Sequence, residues 1–173
     1  MSSTSRDPRN QYRMDQGWIH VYSCAAFDPS NNGYGIGVVV DSEKGGLGRR
    51  RLRTKCGSGL DKDWTRREAE TLAIAKGLDW ALQEADIGDL FHSRREAKLV
   101  VFTSSQDALQ AIEGHESSVE PGSLPKFWKR VERIRALQQG MGVKLEVIER
   151  RSTYEMRRAR EAAVNALSVW KAL

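Results

Sequence analysis

The chain has 173 residues, 39% of them apolar and 29% charged. These values suit one globular domain and exclude a disordered or fibrous chain. Lysine and arginine outnumber aspartate and glutamate 28 to 23, for a net charge of +5, a balance that fits an acidic partner without demanding one. No stretch approaches the ~18 apolar residues of a membrane-spanning helix. The first ten residues, MSSTSRDPRN, have no apolar run of the kind a secretory leader carries. Two cysteines, Cys24 and Cys56, make no disulfide framework and no zinc site. An intracellular, reducing location is therefore expected.

Residues 1–16 are polar and aperiodic and are expected to form a flexible arm ahead of a single domain, 17–173. Ile19, Val21 and Ser23 alternate with His20, Tyr22 and Cys24, as in a strand. Asp28-Pro-Ser-Asn-Asn-Gly33 is turn chemistry, and Tyr34 to Val40 is a second, glycine-punctuated strand in a hairpin with the first. After another turn over Glu43–Gly46, Arg49 to Cys56 reads as an edge strand guarded by basic residues. The period then becomes helical from Thr65 to Gln83, with Asp63 or Thr65 as the cap. An irregular connection (86–96) leads to a buried strand, 97–103. A short helix begins at Ser105, a loop spans 114–122, and an amphipathic helix carries Leu124, Phe127, Trp128, Val131, Ile134 and Leu137. Val143, Leu145 and Val147 mark a fifth strand. Residues 153–173 form a last amphipathic helix with Met156, Ala159, Ala163, Leu167 and Trp170 inward. The order βββ-α-β-α-α-β-α predicts an α/β fold: an antiparallel meander extended by parallel strands into a mixed five-stranded sheet flanked by helices.

This order, and four segments in it, resemble the ribonuclease H family of type I. Tyr22-Ser-Cys-Ala-Ala26 followed by Gly33-Tyr-Gly-Ile-Gly37 is similar to that family's first hairpin, Tyr-Thr-Asp-Gly-Ser and then Gly-aromatic-Gly. Thr65-Arg-Arg-Glu-Ala-Glu70 resembles its first helix, where a catalytic glutamate follows a threonine by five residues. Phe102-Thr-Ser-Ser-Gln106 resembles its fourth strand and the helix after it. Val143 to Val147 and then Arg157 to Ala166 resemble its last strand and helix. The resemblance spans residues 18–167. It is nearest in character to the ribonuclease H domains of fungal retroelement reverse transcriptases.

The resemblance implies a site of four carboxylates holding two divalent cations. Position by position they fall on Cys24, Glu70, Ser104 and Arg160, and only Glu70 is acidic. Thiol, hydroxyl and guanidinium are poor replacements for carboxylate ligands of Mg²⁺. Asp28, Asp107 and Glu161 are nearby acids that would restore a site only by rebuilding it. One residue along a helix turns a side chain by about 100°, so Glu161 and Arg160 cannot both face inward. The segment Glu149–Tyr154 also lacks the histidine that family members often carry there. A catalytically inactive ribonuclease H-like domain is expected, with no cofactor. Mg²⁺ enters only if the site is displaced and the nuclease is live. Arg160 either pairs with Glu70 in place of the metals, or points outward while Glu70 is solvated. Cys24 is expected to be a small buried residue, and a Cys24–Cys56 disulfide is not expected.

A groove that has lost its carboxylates can still bind. Arg66, Arg67, Gln106, Arg150, Arg151, Arg157 and Arg158 are the candidate contacts to an RNA/DNA hybrid or duplex RNA, read by shape and backbone charge. Arg49–Arg53 and Lys126–Arg135 add two more basic clusters, although interleaved glutamates allow both to be ordinary solvated surface. Arg49–Arg53 also has the composition of a nuclear localisation signal. Trp80, Trp128 and Trp170 are expected in the core, and Trp18 and Trp64 at element ends. The other reading is a connection-type scaffold that binds a protein or a second copy of itself. No membrane partner is expected.

Overall fold

The computed structural model describes residues 19–44, 47–59, 65–84, 99–114, 125–149 and 152–173. The arm expected at 1–16, Trp18, Asp63, Trp64, the 86–96 connection, most of the 114–122 loop, Arg150 and Arg151 lie outside them.

The strands are β1 (Ile19–Asp28), β2 (Gly33–Lys44), β3 (Leu47–Ser58), β4 (Leu99–Thr103) and β5 (Lys144–Val147); the helices are α1 (Arg66–Glu84), α2 (Gln106–Glu113), α3 (Pro125–Met141) and α4 (Tyr154–Lys171). They form one five-stranded sheet in the order β3-β2-β1-β4-β5. The first three strands are an antiparallel meander, and β4 and β5 join β1 in parallel. This is the expected mixed sheet. The first two strands run further than their turn residues suggest. Asp28 pairs with Gly33, and Glu43 with Gly48, because the ladders continue to the tips of both hairpins. Asn32 takes the left-handed conformation (φ 53°) that lets the first hairpin turn.

Alternation along the strands sorts residues onto two faces. Val21 of β1, Ile36 and Val38 of β2, and Leu99 and Val101 of β4 meet α1, α2 and α3 in the larger core. Tyr22 and Cys24 of β1 and Val100 and Phe102 of β4 meet Met156 and Ala159 of α4 in a smaller one. β1 and β4 are central and covered on both sides, which is why Leu-Val-Val-Phe has no polar alternation. Trp128 is buried, and Trp80 packs against the larger core.

Glycines set how closely α4 approaches. A Cβ on Gly37 would collide with the Ala159 carbonyl, and one on Gly35 with the Ala163 carbonyl; one on Gly33 would enter the Trp170 ring. The Gly-Tyr-Gly-Ile-Gly stripe is thus a track on which the α4 backbone rests.

Local chemistry fixes the helix starts. Ser105 and Thr153 cap α2 and α4, their hydroxyls accepting from Ala108 N–H and Met156 N–H. Glu68 accepts the Thr65 N–H at 2.9 Å, the return half of a Thr-x-x-Glu capping box. No helix among the described residues is long and apolar enough to cross a membrane.

Candidate functional site

The last rung between β1 and β4 pairs Ser23 with Thr103, so Cys24, midway along β1, and Ser104, just past the end of β4, follow that rung. Thr103 ties this end together. Its carbonyl accepts the Ile148 N–H at 2.9 Å, and its hydroxyl accepts the Ser105 N–H at 3.1 Å. From the other face, Glu70 in the second turn of α1 reaches β1 and accepts the Ala25 N–H at 3.3 Å. From α4, Ala159 packs in the same small core as Cys24, which brings the neighbouring Arg160 to this end of the sheet. The fold therefore brings Cys24, Glu70 and Ser104 toward one region of the sheet, and Arg160 follows Ala159 on the helix that covers Cys24.

Their chemistry differs from a cation site. Cys24 is 2% exposed and Glu70 1%. The Ser104 hydroxyl is buried with no hydrogen-bond partner among the described residues. Neither arrangement expected for Glu70 and Arg160 occurs. Glu70 is buried rather than solvated, and it takes a backbone N–H of β1 while no ion pair joins it to Arg160. The reason is position: Glu70 lies on the face of α1 that packs on β1, between the core residues Ala69 and Ala73. Arg160 is half-buried. Two divalent cations need several anionic oxygens. A thiol, a hydroxyl, a guanidinium and one carboxylate already accepting a backbone N–H do not fit them. Among the described residues no three His, Cys, Asp or Glu side chains come together to hold a metal.

Of the neighbouring acids, Asp28 is engaged elsewhere. Asp28 shares a face with Cys24 but lies four residues on, about 13 Å along an extended strand. There it binds Lys171 and the Ser30 hydroxyl and N–H. Lys171 first, and then Ser30, hold its carboxyl down to about 2. Asp107 and Glu161 are exposed. Cys24 and Cys56 are both free thiols. Cys24 pairs with Gly37, and Gly37 with Thr54, so a whole strand separates the two cysteines.

The candidate duplex contacts line the helix starts. Arg66 is exposed on the first turn of α1. Arg67 is half-exposed, 5.1 Å over the Phe127 ring and 4.0 Å from Glu68. Gln106 is exposed at the first residue of α2. Arg157 and Arg158 are exposed on α4, with Arg158 donating to the Tyr154 hydroxyl at 3.2 Å.

Four arginines of the two further basic clusters bind groups on other elements. Strand alternation sends Arg50 toward α4, where its guanidinium bridges two buried carboxylates, Asp41 (3.7 Å) and Glu155 (3.2 Å). It sends Arg53 toward α1, where it donates to Gln83. On α3, Arg133 binds Asp79 at 2.6 Å. Arg135 donates to the carbonyls of Ile112, Ala111 and Gly114, closing the C-terminus of α2. These arginines hold elements together. Nothing in their sequence spacing distinguishes them from the surface ones.

No protein-family model matches the sequence, and no curated protein matches it. Solved structures do match the fold. Ribonuclease H1 of the archaeon Halobacterium salinarum superposes with a TM-score of 0.61 at 21% identity, over 88% of this chain and 99% of that one. LC11 ribonuclease H1, isolated from compost by a metagenomic approach and solved in complex with an RNA/DNA hybrid, gives 0.59 at 18% identity over 88% and 99%. The ribonuclease H domain of prototype foamy virus gives 0.58 at 16% identity over 90% and 98%. The chain has the ribonuclease H-like fold.

Proposed function

We propose that this chain is a ribonuclease H-like module that binds a nucleic-acid duplex, an RNA/DNA hybrid or duplex RNA, without cutting it. The observation that carries the reading is the donor set where β1, β4, α1 and α4 meet. On the positions that the sequence resemblance implies, Cys24, Ser104 and Arg160 take the place of the carboxylates a two-cation nuclease needs, and the one acid, Glu70, accepts the Ala25 N–H. Around these positions Arg66, Arg67, Gln106, Arg157 and Arg158 keep cationic or hydrogen-bonding groups in solvent. A structural neighbour with the same fold holds an RNA/DNA hybrid. Arginines of this kind contact phosphates and sugars, so recognition follows duplex shape rather than sequence.

The test is fluorescence anisotropy with labelled RNA/DNA hybrid, duplex RNA and duplex DNA at two salt concentrations. The reading predicts saturable binding that weakens steeply with salt, with hybrid or duplex RNA preferred over DNA. Absence of binding to all three overturns it. A scaffold that binds a protein or a second copy of the chain would then take its place. The feature that favours the scaffold is β3, a twelve-residue strand at the end of the sheet with Leu52 42% exposed.

A further inference from the structure

We propose that the outer edge of β3 docks an extended segment of a partner protein. In that segment acidic and apolar side chains alternate. β3 lies at the end of the sheet. All twelve of its residues pair with β2, from Gly33 with Ser58 to Lys44 with Leu47, and the register runs without a bulge. Among the described residues no strand pairs along its other side. Every second residue of such a strand turns its N–H and C=O away from the sheet. Proteins commonly close an edge by shortness, a proline, a bulge or charge. β3 is long, and Leu-Gly-Arg-Arg-Arg-Leu-Arg-Thr-Lys-Cys-Gly-Ser has no proline. Charge is what remains, and charge selects among partners rather than refusing them all.

The strand contains Arg49, Arg50, Arg51, Arg53 and Lys55 and no acid. Residues directly opposite in a ladder share a face. Arg51, Arg53 and Lys55 stand opposite Val40, Val38 and Ile36 of the larger core, so they lie on the α1 side. Leu52 and Thr54 stand opposite Val39 and Gly37, on the α4 side. Arg50 and Arg53 are turned to groups within the fold. Arg51 and Lys55 are exposed, four residues apart on one face. Leu52, on the other face, is 42% exposed. A second copy of the chain does not suit this edge. Antiparallel pairing centred on Leu52 sets Arg51 opposite Arg53, and centring on Arg53 sets Arg51 opposite Lys55. Like charges directly opposite destabilise a ladder. A strand reading acid-apolar-acid-apolar-acid does suit it. Its outer carboxylates meet Arg51 and Lys55, and an apolar side chain covers Leu52. Backbone hydrogen bonds then supply affinity, and the alternation supplies specificity. A nucleic acid brings the charge but no peptide ladder. β2 separates β3 from β1, so this edge is distinct from the Cys24 region, and the proposal does not rest on duplex binding.

The experiment uses the full chain and a fluorescein-labelled, end-blocked peptide, Thr-Glu-Val-Glu-Val-Glu-Thr. Anisotropy should rise saturably, and alternate amides of β3 should exchange hydrogen more slowly in the complex. Two control peptides should not bind: one with lysine in place of each glutamate, and one N-methylated through its central five residues. The second keeps the charge and loses the ladder. Arg51→Glu and Lys55→Glu combined should weaken binding of the acidic peptide at least about tenfold, the loss of two exposed ion pairs. The same double variant should admit the lysine peptide, a gain that misfolding cannot produce. The proposal is overturned if the acidic peptide shows no saturable binding, or if the N-methylated peptide binds as tightly. It is equally overturned if the double variant keeps the parent's preference. A parent chain that sediments as a dimer with its β3 edge amides protected would give the edge to a second copy, and would overturn it too.

Discussion

Replacing Gly37 by alanine tests the packing that seats α4 on the sheet. The added Cβ would collide with the Ala159 carbonyl, and the Ala163 nitrogen would lie only 2.8 Å from it. Both are backbone atoms, so no side chain can swing aside. To restore an ordinary 3.4 Å contact with Ala163 alone, α4 must retreat by about 0.6 Å. It would then loosen the Met156 and Ala159 contacts with Tyr22, Cys24 and Phe102. Overpacking of this kind costs about 1–3 kcal/mol, and backbone against backbone belongs at the upper end, near 3 kcal/mol. For a chain of this size that lowers Tm by about 6–12 °C. Gly140→Ala is the internal control. It lies within α3 with nothing inside 4 Å of its Cβ, so it should gain about 0.5–1 kcal/mol from helix propensity. Urea unfolding followed by circular dichroism measures both. A Gly37→Ala variant within about 0.5 kcal/mol of the parent would refute the close approach of α4 to β2.

Three further outcomes follow from the site. Glu70→Gln should fold and bind hybrid as the parent does, whereas Glu70→Ala, which strands the Ala25 N–H, should lose about 2 kcal/mol in denaturant unfolding. Arg157→Ala and Arg158→Ala should each weaken hybrid binding across all sequences and reduce the slope of log affinity against log salt by about 1. Asp28 is held down to about 2 by Lys171 and Ser30, from an ordinary 3.8. Its depressed value means that its contribution to stability is complete above pH 3.8 and fades as pH falls toward 2. Tm measured across that window should fall less steeply in Lys171→Met.

The sheet was legible because its signals are local. Alternation in Ile19–Cys24 and Tyr34–Val40, turn residues between them, and the unbroken Leu-Val-Val-Phe run define a meander and a central parallel strand. Ser105 and Thr153 announce their helices because capping is decided within three residues. What sequence hides is where long side chains go. Arg50 and Arg53 sit three apart in one basic run, yet opposite faces of β3 send one to Asp41 and Glu155 and the other to Gln83. Arg135 looks like any helix-surface arginine until α2 ends beside it. Glu70 reads equally well as a ligand, a solvated side chain or a partner of Arg160. Only the crossing of α1 over β1 shows that it holds the Ala25 N–H. Asp28 marks a turn in sequence, but the ladder extends through it to Gly33.

The most direct test of binding without hydrolysis is incubation of the full chain with end-labelled RNA/DNA hybrid in Mg²⁺ and, separately, in Mn²⁺, resolved on a denaturing gel. With one carboxylate among Cys24, Glu70, Ser104 and Arg160, the hybrid should remain full length in both metals at protein concentrations that saturate binding. Metal-dependent cleavage that disappears in Glu70→Gln would contradict the account and show that a metal site is built from other residues around Glu70.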